Sequence, residues 1–160
     1  MLRELDFQDA PALLDLLRQE AEGGRFMGNV DGLDLEAVNN FILAALICQG
    51  DEYRAVCSGQ GEFAGLVGLK AIDREQGRAE FCIALLPQAR GRGLGRQAAR
   101  ELLSWAFANL RLERVYMFTR RDNRATRSFN RRMGFRPQAA EFELGRDYCW
   151  YGGYREQFAE

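Results

Sequence analysis

The chain has 160 residues, close to the roughly 150 of a single domain, and its 47% hydrophobic and 28% charged content is that of a folded globular protein. It contains no histidine, which excludes Ser-His triads, Cys-His pairs and the usual zinc-site patterns, and no metal is expected. Lys70 is the only lysine against 21 arginines, and its setting, V-G-L-K-A-I, is not that of a Walker phosphate loop.

The formal net charge of -1 conceals unlike blocks. Residues 1–85 carry 15 acids and 7 bases, residues 86–136 carry 3 acids and 13 bases, and residues 137–160 carry 5 acids and 2 bases. A basic block inside an acidic chain points to a polyanionic partner, the alternative being an arginine-rich solvated face. The four cysteines, Cys48, Cys57, Cys82 and Cys149, form no C-x-x-C pair and sit in apolar runs, as reduced thiols of a cytoplasmic protein do. No N-terminal stretch joins basic residues to an apolar run, and the apolar run at 41–48 is too short to span a bilayer, so no secretion signal or anchor is expected.

In chain order, L-R-E-L-D-F reads as a short strand. It leads into a helix with Asp9 at its N-cap, Pro11 in its first turn and a Leu13, Leu14, Leu16, Leu17 stripe. E-G-G-R-F-M-G-N-V-D-G has no period and is expected to be a mobile loop, and a second helix runs from Leu35 to Cys48, started by Asp34 and closed by Gly50. The period then becomes two: 53–58, 62–72 and 78–86 read as strands joined by the short turns Gly59-Gln60-Gly61 and Asp73 to Gly77. A glycine loop, a helix near 93–109, a strand at 113–119, a helix near 124–132 closed by Gly134, and strands near 135–145 and 148–158 complete a mixed α/β (α+β) sheet.

The sharpest feature is Arg90-Gly91-Arg92-Gly93-Leu94-Gly95-Arg96, between an apolar strand and an amphipathic helix. Unpaired amides and the positive helix end suit an anion, and pyrophosphate is the obvious guest. The dinucleotide fingerprint G-x-G-x-x-G fails because the third glycine comes one residue early, and a hairpin meander precedes the loop. R-G-R-G-L-G resembles the acyl-CoA pyrophosphate loop of the GNAT superfamily of N-acyltransferases, [Q/R]-x-x-G-x-[G/A], with Arg90, Gly93 and Gly95 filling the pattern. Upstream A-E-F-C-I-A-L-L-P, and downstream Asn123-Arg124-Ala125-Thr126 through Met133-Gly134-Phe135, are similar to the family's flanking segments.

The resemblance implies one GNAT domain over 1–160, with a mostly antiparallel sheet of six to seven strands and about four helices. It implies transfer of an acetyl or other acyl group from acetyl-CoA to a primary amine of a small molecule or protein, by direct attack in a ternary complex. Phe81, Cys82, Ile83, Ala84 and Leu85 would line the pantetheine, with backbone amides polarising the thioester. Gly91, Arg92, Gly93, Leu94, Gly95, Arg96 and Asn123 would complete the acetyl-CoA site together with Arg90. Attack needs a neutral amine, and Glu80 is the candidate base. Asn130 stands where the family usually has a proton-donating tyrosine; it can hydrogen-bond the thiol or pantetheine but cannot protonate a leaving thiolate. Tyr116, Tyr148, Tyr151 and Tyr154 are substitutes, though core or wall roles suit them better.

Glu20, Glu22, Asp31 and Asp34 are candidates to hold a cationic acceptor, and Arg124, Arg127 and Arg131 share a helical stripe that either reaches the CoA 3′-phosphate or is solvated. Two other readings stand beside this one: a CoA-binding sensor without catalysis, and a nucleic-acid-binding module using the basic block. The second is disfavoured because the block lacks aromatics interleaved with arginine, and no nucleic acid is expected as a partner. Homodimers are common in the family, and the sequence carries no signal that decides the point.

Overall fold

The structure is a computed structural model that describes residues 1–22, 32–47, 50–139 and 147–158. The chain opens with β1 (Leu2–Arg3) and a 3-10 turn at Phe7–Asp9, which runs directly into α1 (Ala10–Glu22). Asp6 rather than Asp9 starts this helical segment. Its carboxylate accepts from Gln8 N at 2.7 Å, and Asp9 Oδ2 accepts from Asp6 N at 2.9 Å, a reciprocal capping box. Asp9 is drawn inward because Arg3 donates to both of its oxygens, at 2.8 and 2.7 Å. The opening strand is accordingly two residues long, since Asp6 turns the chain out of the sheet.

Helix α2 (Leu35–Ile47) begins as expected at Asp34, whose Oδ1 accepts from Ala37 N at 2.8 Å. The meander follows as β2 (Glu52–Cys57), β3 (Phe63–Asp73) and β4 (Arg78–Leu85), then α3 (Leu94–Asn109), β5 (Arg114–Arg120) and α4 (Arg124–Met133). The chain ends in β6 (Arg136–Gln138), β7 (Tyr148–Tyr154) and α5 (Arg155–Phe158). The strand expected to 158 stops at Tyr154, because Tyr154 N donates to Gln157 Oε1 at 2.8 Å and starts the short helix that returns Phe158 to the core. The strand expected over 135–145 is Arg136–Gln138; its remainder from 140 lies outside the described residues, as do Asp31, Cys48 and most of the glycine-rich stretch near 22–32.

The seven strands form one sheet in the order β1-β2-β3-β4-β5-β7-β6, antiparallel throughout except for the parallel pair β4–β5. Two apolar layers flank it. On one face α3, α4 and α5 pack Leu102, Leu103, Phe107, Met133 and Phe158 against Val67, Leu69, Ala79, Phe81 and Val115. On the other, α1 and α2 pack Leu13, Leu16, Val38 and Ile42 against Ala55 and Leu66. Truncating a fully buried leucine in either layer to alanine is expected to cost about 2–5 kcal/mol. The alternation of β4 divides its residues between the layers: Ala79, Phe81, Ile83 and Leu85 face α3, while Glu80, Cys82 and Ala84 face α1 and α2.

Candidate active site

β4 and β5 pair over three positions only, Arg78↔Arg114, Ala79↔Val115 and Glu80↔Tyr116. Beyond Glu80 the strands part: β4 remains paired to β3 as far as Leu85, and β5 to β7 as far as Arg120. A wedge therefore opens between Phe81–Leu85 and the far half of β5, with the β5-facing edge of β4 lacking strand partners among the described residues. Such an edge accepts an extended, amide-bearing ligand as it would another strand.

The glycine loop stands at the open end of this wedge. A 3-10 turn at Pro87–Ala89 leads to Gly91 (φ 75°) and Gly93 (φ 79°), both left-handed, a conformation that glycine adopts without a Cβ penalty. No atom lies within 4 Å of where a Cβ would stand at either position, so the loop surface is open. Gly93 caps α3 without a side chain, and past Arg90 the first amide to find a backbone partner among the described residues is Gln97, donating to Gly93 O at 3.1 Å. Preceding amides at the positive helix end thus form an anion cradle that fits a pyrophosphate. At Gly95 the missing side chain serves packing. A Cβ there would stand 3.2 Å from Leu85 Cδ1 and 3.5 Å from Phe129 Cε2, so its bareness lets α3 close on β4 and α4.

Arg90 does not aim its charge at this cradle. Its Nε donates to Leu85 O at 3.0 Å, and its Nη2 meets Glu20 Oε1 at 2.9 Å, tying the loop to the end of β4 and to α1. Glu20 is thereby engaged by the loop, and Asp34 by the α2 cap, while Glu22 is exposed at the end of α1. A hollow of about 340 Å³ lies on the β3 side of the loop, lined by Ser58, Glu62, Phe63, Leu86, Arg92 and Gln97 among others. None of its lining residues lies on β4 or β5, whose parted edges carry amides without a strand partner among the described residues.

Glu80 sits at the apex, at the last β4–β5 pair. Its Oε1 is 3.3 Å from Lys70 Nζ, directly across on β3. On the same face Tyr53 lies over Gly68, where a methyl group would meet its ring at 2.5 Å, and Phe41 of α2 packs edge-on against that ring at 4.8 Å. Burial, with Cys82, Asp51 and Glu80 nearby, raises the Tyr53 pKa well above that of a free phenol. Burial likewise pushes the Cys82 thiol up to about 11, and its Sγ donates to Gly68 O at 3.6 Å. Cys82 is thus a protonated, weakly reactive thiol at neutral pH, as expected for it; Cys57 is buried, and Cys57, Cys82 and Cys149 are all free.

On the far wall, Asn123 caps α4, its Oδ1 accepting from Thr126 N at 3.1 Å. Asn130 is 2% exposed, and its Nδ2 has no hydrogen-bond partner among the described residues. Its neighbour Phe129 reaches Gly95, so the helix carrying this buried donor abuts the cradle. Arg124 and Arg131 are exposed, whereas Arg127 turns back on its scaffold, donating to Arg121 O at 3.0 Å. Tyr116 and Tyr151 are buried wall residues, Tyr116 stacked on Trp150 at 6.0 Å. Lys70 and Tyr53, the companions of Glu80, are residues that the sequence pattern does not single out.

A mostly antiparallel sheet of seven strands, with a glycine-loop amide cradle after β4, is the architecture that the resemblance implies. Residues 1–136 match the acetyltransferase (GNAT) domain family, and the chain belongs to that family. Among curated proteins it is similar to spermidine N(1)-acetyltransferase of Escherichia coli (strain K12), 35% identical over 104 residues that cover 65% of this chain and 54% of that protein. The chain thus spans about half the length of that relative. Among solved structures, the spermidine N-acetyltransferase of Vibrio cholerae in complex with CoA and spermine shares the fold, with a TM-score of 0.81 at 19% identity over 99% of this chain and 95% of that one. A dodecameric structure of the Vibrio cholerae enzyme in an intermediate state gives 0.78 at 20% identity, over 99% and 95% of the two chains. No helix among the described residues is long and apolar enough to cross a membrane.

Proposed function

We propose that this chain, as one domain over 1–160, transfers an acetyl group from acetyl-CoA to a primary amine of a cationic small molecule, with a polyamine the first acceptor to test. The observation that carries the reading is the parting of β4 and β5 at Glu80, with the open amide cradle of Gly91–Arg96 at the other end of the wedge. From Leu85 to Glu80 is five residues at about 3.3 Å each, roughly 17 Å, which is the order of an extended pantetheine arm. A pyrophosphate held at Gly91, Arg92, Gly93, Leu94, Gly95 and Arg96 then delivers the thioester to the apex, with the arm against the backbone of Cys82, Ile83 and Leu85.

In this reading Glu80 accepts the proton of the incoming ammonium, and the amine attacks the thioester carbonyl directly. Proximity supplies much of the rate, so no acyl-enzyme is needed. The Asn130 amide, buried and without a partner among the described residues, offers a donor to pantetheine or to the departing sulfur. A thiol of ordinary pKa, about 8.5, leaves tolerably as thiolate, so a tyrosine at that position is dispensable. Arg90 contributes by fixing the loop, and Asn123 by starting α4. The free cysteines support a cytoplasmic location.

Calorimetry with acetyl-CoA, followed by thiol release across a panel of amines and polyamines, tests the reading. Binding with amine-dependent thiol release is expected; no binding at tens of micromolar would overturn it. A second reading, a CoA-binding sensor, draws on Asn130 and on the Glu80–Lys70 ion pair; tight binding without thiol release from any amine would favour it.

A further inference from the structure

We propose that Lys70 is a self-acetylation site, its side chain occupying the place of the acceptor amine when no acceptor is bound. The inference rests on the proposed acetyl transfer and adds to it a covalent modification of the protein's own chain.

Lys70 is the single lysine of the sequence, and its Nζ is 3.3 Å from Glu80 Oε1. It presents to the candidate base the functional group that the reaction consumes. A backbone irregularity puts it there. The β3–β4 hairpin starts with Asp73↔Arg78, and uninterrupted pairing from that point would set Lys70 opposite Phe81, on the face packed against α3. The register shifts between Lys70 and Asp73, where Ala71 has a φ of 49°, and Asp51 Oδ1 holds the Ala71 amide at 3.1 Å. A non-glycine residue in that conformation costs about 1 kcal/mol, so the surrounding structure imposes it. One residue of slip reverses the face, and Lys70 is thereby moved beside Glu80 at the apex.

The other groups around Glu80 do not compete as nucleophiles. The Cys82 thiol, pushed up to about 11 by burial, is held to Gly68 O at 3.6 Å, and the Tyr53 ring is packed over Gly68 and against Phe41, so neither side chain is free to turn toward the thioester. The Lys70 side chain is 40% exposed and that of Glu80 20%, so the lysine can swing without disturbing the core. Glu80 withdraws a proton from the Lys70 ammonium, and the freed Nζ lone pair attacks the thioester carbonyl carbon of acetyl-CoA. The new C–N bond forms as the C–S bond breaks. The nitrogen loses its second proton as the tetrahedral adduct collapses, and CoA leaves as thiolate and is protonated from solvent. The products are acetyl-Lys70, free CoA and one proton released overall. Acetylation removes the lysine charge and dissolves the ion pair with Glu80.

The test is incubation of the purified protein with acetyl-CoA and no amine, read by intact mass and peptide mapping. One acetyl group per chain on Lys70 is expected, at a rate independent of protein concentration and suppressed by excess CoA. K70R and the loop-blocked G93E should gain none. Acetylation at the Met1 amine instead of Lys70, or at equal rate in G93E or heat-unfolded protein, overturns the proposal. Calorimetry on the same samples separates the two readings. Acetyl-CoA binding and amine-dependent thiol release with Lys70 unmodified overturn self-acetylation alone, whereas absence of acetyl-CoA binding overturns both.

Discussion

Glu80 has two neighbours that pull in opposite directions: Lys70 stabilises its carboxylate, while the wedge beside it is built to receive an amine that must lose a proton. The ion pair is partly solvated, so it contributes modestly and an incoming ammonium can displace it. E80Q keeps the size and much of the hydrogen bonding of the side chain but cannot accept the proton. Thiol release with amine should fall about 10²–10³-fold while the Kd for acetyl-CoA stays within twofold, measured by steady-state kinetics and calorimetry. A loss confined to KM would reduce Glu80 to a binding group. Glu80 is legible in the sequence as a carboxylate on the right strand, but Lys70 is not, because its place opposite Glu80 depends on the register shift between Lys70 and Asp73: the Asp73↔Arg78 pair continued without that shift sets Lys70 opposite Phe81. Tyr53 escapes for a related reason: its importance lies in Gly68, on the neighbouring strand and far from the motif, which leaves room for its ring. The motif makes Arg90 a phosphate ligand, yet its contacts are to Leu85 O and Glu20, partners that no local pattern discloses.

At the scale of elements, strand–glycine loop–helix is readable because each of its parts is local. Glycines at Gly91 and Gly93 free the backbone, Gly95 permits close packing, and the apolar stripe of α3 follows at helical spacing. Two glycines of the same loop should therefore respond differently to substitution. In G93E the new side chain meets open space, and its carboxylate is favoured by the positive helix end. The left-handed φ limits the cost to about 1–2 kcal/mol, so the fold persists, but acetyl-CoA binding should fall below detection because that carboxylate takes the anion's place. G95L has no such room: its side chain would be driven between Leu85 and Phe129, and overpacking is expected to cost about 1–3 kcal/mol. Thermal melts beside calorimetry separate the two, and loss of binding in G93E with equal loss of stability would count against the cradle. The element ends are less readable than the elements, since Asp6 and Gln157 decide where β1 and β7 stop through side-chain contacts with the backbone.

For the molecule as a whole, the charge blocks foretell a basic region at the cradle, but not that one acid of the N-terminal block is buried as a structural tie. Asp9 is 5% exposed and joins β1 to the start of α1 through the Arg3 fork and the Asp6 amide. Burial by itself would raise its pKa; the Arg3 hydrogen bonds and the Asp6 amide outweigh burial and hold the carboxyl below its ordinary 3.8. A depressed carboxylate stabilises the fold fully above the unfolded value, and that contribution fades as pH falls from about 3.8 toward the folded pKa. D9N isolates the charge, because an asparagine oxygen can still accept from Asp6 N. Arg3 keeps part of its surface in water and screens the pair, so D9N is expected to cost about 1–2 kcal/mol at pH 7, a fall in Tm of roughly 3–6 °C for a domain this size. In strongly acidic buffer, where the wild-type carboxyl is protonated too, the two melting curves should converge. An undiminished gap there would mean that the loss comes from packing at the 3-10 turn rather than from the ion pair, and the acid-labile tie between sheet and helix would have to be sought elsewhere.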